Sequence, residues 1–390
     1  ENFLKTGVLN TESNVQFGEG GAGTFSDGKL VSQVKDSSFR RKKVFDIFID
    51  CGADKKISYV NKPHIGTDKL RDVIINMRKK IISMGGEFKY NTCLTNIIYD
   101  NNKVKSIEVN NNEIIDTEVL VLALGHSARD TFKMLYDNNM IMSPKPFAVA
   151  IRIQHPQDMI NKNQYGLVSH PKLGAASYKL TYKASNNRGV YSFCNCPGGY
   201  VINSSTEVGG ICINGMSYSQ RDGDNSNTAI VVNINKEDYS DAHPLAGVYY
   251  QRSIERATFV SGGENGFVPV SSIGNYLKEN DIFCDVSPTV APGVLYTELE
   301  SCFPEYINIA LKNTLKYYSE NIPGFGNGII TACETRTSSP IRILRDKEHF
   351  NCLNINNMFP IGEGSGYAGG ITSSAIDGVK CIDAIMINNI

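Results

Sequence analysis

Residues 358–378 read MFPIGEGSGYAGGITSSAIDG, and the fold turns on them. The apolar approach Met358-Phe359-Pro360-Ile361 predicts a strand. Gly362 to Gly370 holds five glycines in nine residues, and a helix is expected from about 371 to 387. A strand passing through small residues into a helix N-terminus makes an anion site. The first backbone N–H groups of the helix have no intrahelical partner, and the helix dipole adds partial positive charge there. Glycine lets the backbone approach a ligand where a Cβ would collide. A tight turn capping a core helix is the plain alternative. The glycine density, with Glu363 inside it, favours a ligand. Gly362, Glu363, Gly364, Gly369, Gly370 and Ile371 are the candidate binding residues, with Glu363 an acceptor for ligand hydroxyls.

Working outward, a second glycine cluster lies at Gly18-Glu19-Gly20-Gly21-Ala22-Gly23-Thr24, followed by Ser26-Asp27-Gly28-Lys29. It is not the GxGxxG dinucleotide fingerprint, which needs a strand before it and a helix after it. It is either a flexible loop or the other wall of one groove, with Gly18, Gly20, Gly21, Gly23 and Thr24 as candidates. A helix is expected over 67–84, capped by Thr67, with Leu70, Val73, Ile74, Met77, Ile81 and Ile82 near helical spacing and Gly85-Gly86 ending it. Strands are expected at 87–90, 93–99, 103–109 and 113–115. The run Val119 to Leu124 reads as a strand buried on both faces, as in a parallel sheet, ending at Gly125-His126-Ser127. Gly125 is a candidate backbone contact and His126 reads as a loop histidine. From about 145 to 300, β-branched runs (148–153, 189–193, 209–213, 229–234) broken by Gly, Asn, Ser and Pro predict a mostly antiparallel sheet. A helix is expected near 304–319, with Ile307, Ala310, Leu311, Leu315 and Tyr318 on one face.

Two further stretches carry chemistry. Glu334-Thr335-Arg336-Thr337-Ser338-Ser339-Pro340 concentrates a carboxylate, a guanidinium and four hydroxyls. An arginine fork suits a substrate carboxylate or phosphate, and a structural Glu334–Arg336 network suits the pattern equally. Cys194 and Cys196 could form a redox pair, with buried or loop cysteines the plain alternative. No histidine or further cysteine lies nearby to complete a metal site, so no metal is expected. The ten cysteines otherwise stand singly, which fits free thiols in a reducing cytoplasm. A net charge of −1 gives no reason to expect a nucleic-acid partner. Arg40-Arg41-Lys42-Lys43 reads as a solvated face. No apolar run approaches the roughly 20 residues a bilayer demands, so no membrane partner is expected.

At these residues the chain resembles the bacterial FAD-dependent dehydrogenases, a branch of the two-domain FAD/NAD(P)-binding flavoproteins. The matching segments are SNVQFGEGGAGTFSDGKL (13–30), ALGHSARDTF (123–132), YSFCNCPGGYV (191–201), NGMSYSQRDGDNSNTA (214–229), ETRTSSPIRI (334–343) and FPIGEGSGYAGGITSSAIDG (359–378). The resemblance implies an α/β fold: an incomplete FAD/NAD(P)-binding Rossmann-like core with an inserted β-rich (α+β) substrate domain. Residues 1–145 would be the first part of the core, 146–325 the substrate domain and 326–390 the rest of the core. FAD would be the cofactor, lined by the Gly18–Thr24 loop, Gly125 and the Gly362–Ile371 loop, with Arg336, Cys194 and Cys196 near the substrate. Such an enzyme passes a hydride to or from flavin N5, with a small-molecule substrate and NAD(P)H as a candidate reductant. Family members open with a strand–GxGxxG–helix unit that holds the ADP half of FAD, and this sequence shows none. A truncated N-terminus is therefore expected. Two rival expectations are a non-catalytic remnant that binds a partner, and a thiol redox protein working through Cys194 and Cys196.

Overall fold

The apolar stretch at 147–153 becomes the centre of the molecule. In the computed structural model, which describes residues 2–239, 243–279, 284 and 286–387, it lies within the strand Phe147–Pro156, nine of whose ten residues are buried. That strand sits fourth in a seven-stranded sheet ordered Val294–Tyr296, Val268–Ser272, Ile329–Glu334, Phe147–Pro156, Asn225–Ile234, Gly189–Cys196, Thr181–Lys183. Every pairing is antiparallel except that of 268–272 with 294–296.

Successive side chains of a strand point to opposite faces, and here the two faces differ in kind. Phe147, Val149, Ile151 and Ile153, with Val190, Ile230, Val232 and Ile234, pack against Ile307, Ala310, Leu311, Leu315 and Tyr318. Those last five are buried on the helix Glu305–Asn321, as their spacing predicts. Each large apolar side chain buried there contributes about 1.5–3 kcal/mol, so this layer is the main source of cohesion. The other face carries Ala148, Ala150, Ala229 and Val231, with Tyr191 against them. Small residues there leave room above the sheet.

The flanking segments form a separate layer. The antiparallel meander Leu94–Asp100, Lys103–Val109, Glu113–Asp116 leads to a short strand, Leu120–Leu122, paired in parallel with Met358–Pro360. Buried Asn357 ties the two together, accepting from the Val104 N–H and donating to the carbonyls of Val104 and Glu118. The helix Ile371–Ile387 packs Ile371, Ala375, Ile376 and Val379 against Phe45 and Phe48 of the helix Arg40–Asp50. Arg41, Lys42 and Lys43 on that helix are exposed.

Several expectations need correction. The strand at 120–122 is not buried on both faces: Val121 is 36% exposed, because the strand has a single hydrogen-bonded neighbour. Thr67 does not cap the helix Thr67–Ser83. It is the first helical residue, after Gly66 at φ 89°, and its hydroxyl donates to the Thr24 carbonyl. Ile81 and Ile82 face solvent, since that end of the helix runs beyond its packing partners. Residues 87–90 form no strand, and the strand expected at 209–213 begins only at Ile213 and runs to Ser217. The helix Ala246–Ser261, inside the β-rich region, has mixed periodicity and escapes sequence reading. No helix among the described residues is long and apolar enough to cross a membrane.

The layers are joined by buried charge. Glu255, on the helix Ala246–Ser261, accepts from Arg129 at 2.7 and 2.8 Å and from Arg336 at 2.8 and 2.9 Å. Arg129 also meets Glu207 at 2.7 Å, and Glu207 meets Arg252. Burial works against ionising Glu255, but Arg129 and then Arg336 outweigh it and hold the carboxyl far below its ordinary range. Removing Glu255 leaves buried Arg336 without a carboxylate and Arg129 with Glu207 alone. Glu255→Gln is expected to cost about 3–5 kcal/mol of unfolding free energy, the usual loss when one partner of a buried pair is deleted. Urea denaturation checks this, and a loss below about 1 kcal/mol would show that the network is not structural.

Candidate functional site

The glycine-rich loop 362–370 is fixed at both ends by the helix it precedes. Gly362, at φ 72°, donates its N–H to the Asp377 carboxylate at 2.8 Å, and Asp377 is gripped by Arg345 at 2.6 and 2.8 Å. The Arg345 guanidinium in turn lies 3.7 Å from the Tyr367 ring centroid. Inside the loop, Gly364 packs backbone to backbone on Gly125: a Cβ there would lie 2.3 Å from the Gly125 carbonyl oxygen. The two glycine positions that the sequence separates by more than two hundred residues are thus in contact. Gly369 and Gly370 differ from them. No atom lies within 4 Å of where their Cβ atoms would be, so the loop is open just before the first turn of the helix. The Ser365 hydroxyl is buried without a hydrogen-bond partner.

The N-terminal glycine cluster reaches the same place. Gly21–Phe25 forms a short 3-10 turn, and a Cβ on Gly23 would lie 3.3 Å from the Ile371 side chain. Gly20, at φ 81°, leaves no room for a Cβ beside Thr24, whose buried hydroxyl has no partner. A little further on, the Leu30 carbonyl accepts from the Thr372 hydroxyl at 2.8 Å, seating the chain on the first turn of the C-terminal helix. Gly18 and Gly21 lie in the same loop at positive φ, and nothing lies within 4 Å of a Cβ on Gly18.

Between this loop system and the small-residue face of the main sheet is a cavity of about 330 Å³. Phe147, Ala148, Tyr191, Phe193 and Val231 supply the sheet side, while Thr337, Ser338 and Gly369 supply the loop side. Sequence reasoning missed this wall, although the alternation Val190 in, Tyr191 out, Ser192 in, Phe193 out is legible in the strand. It also missed Lys145, whose Nζ lies 3.5 Å from the Ser338 hydroxyl and 3.4 Å from the Ser339 carbonyl. Burial pulls Lys145 below its ordinary range, Arg342 lowers it further, and Glu363 opposes both. Glu363 is half-buried, and burial pushes its carboxyl up to about 7 against the pull of Lys145.

The remaining candidates are elsewhere. Arg336 does not pair with Glu334 as one reading of the sequence has it. Its guanidinium donates to Glu255, to Ser127 at 3.0 Å and to Thr206 at 2.7 Å, and it is not among the residues lining the cavity. Glu334 instead holds fully buried Arg152. His126 is a turn residue, its Nδ1 2.8 Å from the Ser127 hydroxyl, and burial followed by Arg336 and Arg129 pushes it down to about 3. Cys194 and Cys196 lie at the end of the strand Gly189–Cys196, two positions apart. Cys194 adopts φ 46°, and the strand carries one residue more than its partner between the Phe193–Ala229 and Cys196–Asn227 pairs. Both sulfurs lie near Lys29, at 3.9 and 4.0 Å from its Nζ.

A family model described as FAD-dependent protein, C-terminal domain-like, matches residues 146–337. A protein of Clostridium beijerinckii is 46% identical over 392 residues, covering 99% of this chain and 73% of that protein. The chain belongs to one family with this relative. Among solved structures it is similar to an oxidoreductase from Methanosarcina mazei (12% identity, 81% of this chain and 54% of that one, TM-score 0.35). It is also similar to GidA of Aquifex aeolicus (10% identity, 94% and 57%, TM-score 0.39). The chain spans a little over half the length of these two structures.

The environment of Glu363 has a measurable consequence. Its folded-state affinity for a proton exceeds that of the unfolded chain, so ionising it costs stability as pH rises from about 4.5 to about 7, and the cost is full above that. Glu363→Gln is expected to raise the melting temperature relative to the parent at pH 8 and to leave it unchanged at pH 4. A difference independent of pH, measured by thermal unfolding across that range, would contradict this account.

Proposed function

We propose that this chain forms most of an FAD-dependent oxidoreductase acting on a small molecule. Its flavin core would be built from residues 1–145 and 326–390, and its substrate-facing domain from 146–325. The observation that carries the reading is the meeting of three glycine segments at one helix N-terminus. Gly23 lies on Ile371, Gly125 on Gly364, and Gly369–Gly370 leave the first turn of the helix open. The residues present fit a flavin. A backbone cradle that any Cβ would fill, two buried hydroxyls without partners (Thr24 and Ser365), and a helix N-terminus suit a phosphate-bearing cofactor with a ring that gains negative charge. The family description supports the same cofactor.

When bound, FAD supplies the two-electron redox centre, exchanging a hydride with the substrate. The chain's own part is to hold and to shape. The N–H groups of residues 371–373 orient an anionic or polarised edge, and Glu363 accepts from hydroxyls. Ala148, Val231, Tyr191 and Phe193 give the cavity a mostly apolar wall that excludes water beside the loop. Lys145 places a cation next to the cavity rim at Ser338. NAD(P)H is the proposed reductant, and nucleic acid and membrane are not proposed as partners.

Visible absorption after gel filtration tests the reading. The protein mixed with FAD is expected to carry flavin bands through the column. Gly369→Glu is expected to weaken FAD binding by at least about tenfold, since it adds a negative charge at the helix N-terminus. Its Cβ meets no atom, so the melting temperature without FAD should be unchanged. Retention of FAD unaltered by that substitution would remove the helix end from the site.

A further inference from the structure

The bulged strand end that carries Cys194 and Cys196 is the far part of the strand that lines the cavity, and the proposed flavin chemistry makes no use of it. Its surroundings are built from four chain segments. Lys29 Nζ is 3.4 Å from the Asp27 carboxylate and donates to the Asn195 carbonyl. Arg221 pairs with Asp27 from the other side. Arg152, fully buried, pairs with Glu334 and donates to the Cys194 carbonyl at 3.2 Å, to Asn227 at 2.6 Å and toward the Cys196 sulfur at 3.8 Å. Gly215 is required for this, since a Cβ there would lie 2.0 Å from Arg152 Nη1.

The charges around the two thiols are Lys29, Arg221 and Arg152 against Asp27 and Glu334. His64, lowered by burial and then by Arg221, and Tyr178, raised to about 12 by burial, add none near neutral pH. The group therefore carries one surplus positive charge in a largely desolvated place, which one thiolate neutralises. Asn195 Oδ1 and Asn227 Nδ2 are buried there without partners. Cys194 is half-buried and Cys196 buried, while their neighbour Phe193 is 42% exposed.

We infer that Cys194 and Cys196 form a redox-active dithiol that reduces an organic disulfide, with Cys194 the attacking thiolate, Cys196 the resolving thiol and Lys29 a positioning residue. The Cys196 thiol donates to the Cys194 carbonyl at 3.4 Å, and hydrogen bonding from Cys196, with Lys29 and Arg152, holds the Cys194 thiol well below its ordinary range against the cost of burial. Cys196 is held well above that range by the same hydrogen bond and by burial. One thiol is thus ready to attack and the other keeps its proton until needed. Cys194 S⁻ attacks one sulfur of R–S–S–R. The S–S bond breaks, R–S⁻ leaves, and a Cys194 mixed disulfide remains. Cys196 then attacks the Cys194 sulfur, its proton passing to the departing sulfur, and the second R–S group leaves. The substrate disulfide gains two electrons, and the pair loses them as it closes into a Cys194–Cys196 disulfide. The step needs no flavin, and its failure would leave the flavin reading where it stands.

The test uses the purified chain without added FAD. At pH 6 an ordinary thiol of pKa about 8.5 is less than about 1% ionised. Iodoacetamide labelling read by peptide mass spectrometry is expected to modify Cys194 on the order of tenfold faster than half-buried Cys93. With dithiodipyridine as the disulfide, wild type should release two thiopyridone molecules at this site and yield a Cys194–Cys196 crosslink. Cys196→Ser should stop at a mixed disulfide after one. Lys29→Met should slow the first step about tenfold at pH 6 and converge with wild type at pH 9. Labelling of Cys194 no faster than of Cys93, or a stable mixed disulfide on wild type, would overturn the proposal without any variant needing to fold. An equal slowing at every pH would overturn the role given to Lys29.

Discussion

The two-faced burial of the strand Phe147–Pro156 is the constraint on which the rest depends. This strand, in the middle of its sheet, buries both faces, and it does so with different materials. Large apolar residues on one face lock against the helix Glu305–Asn321. Alanines on the other leave a gap above the sheet. Close-packed interiors do not tolerate such gaps unless something else fills or uses them. Here the gap is bounded by the glycine-rich loop at Gly369, and further along the same face the alanines give way to Arg152 and the thiol pair. The cavity and the charged cluster are therefore two parts of one surface, separated along the strand.

Buried arginines set the second level of organisation. Arg129 and Arg336 share Glu255, and Arg152 takes Glu334. Each pair joins segments remote in sequence, and none can be broken on one side without leaving a charge out of water. Such networks explain why Arg336 is a poor candidate for binding a substrate: its donors are already spent on Glu255, Ser127 and Thr206. They also hold Ser127, two residues after Gly125, so the point where Gly125 meets Gly364 is anchored from below.

The local parts of the site were legible because glycine has few other reasons to cluster. Gly362–Gly370 before a helix, and Gly18–Gly23, could be read as ligand-approaching backbone without any knowledge of packing. The walls were not legible. Tyr191, Phe193 and Ala148 look like ordinary strand residues, and only the sheet's placement over Gly369 makes them a cavity. Lys29 lies in the segment Ser26–Lys29, yet its meaning required the tertiary contact that sets its ammonium beside Cys194 and Cys196.

By itself, the sequence determined the antiparallel run of the middle region, the apolar face of the helix Glu305–Asn321, the C-terminal strand–loop–helix unit and the resemblance to a flavin-dependent family. These follow from periodicity, turn residues and local composition, which act over a few residues. Only the tertiary structure decided which carboxylate each buried arginine would take, that one face of the 120–122 strand would stay open, and that two thiols would face one lysine. Those outcomes depend on desolvation and on register between distant segments, and the free energy of a buried charge or a shifted strand is set by what packs against it.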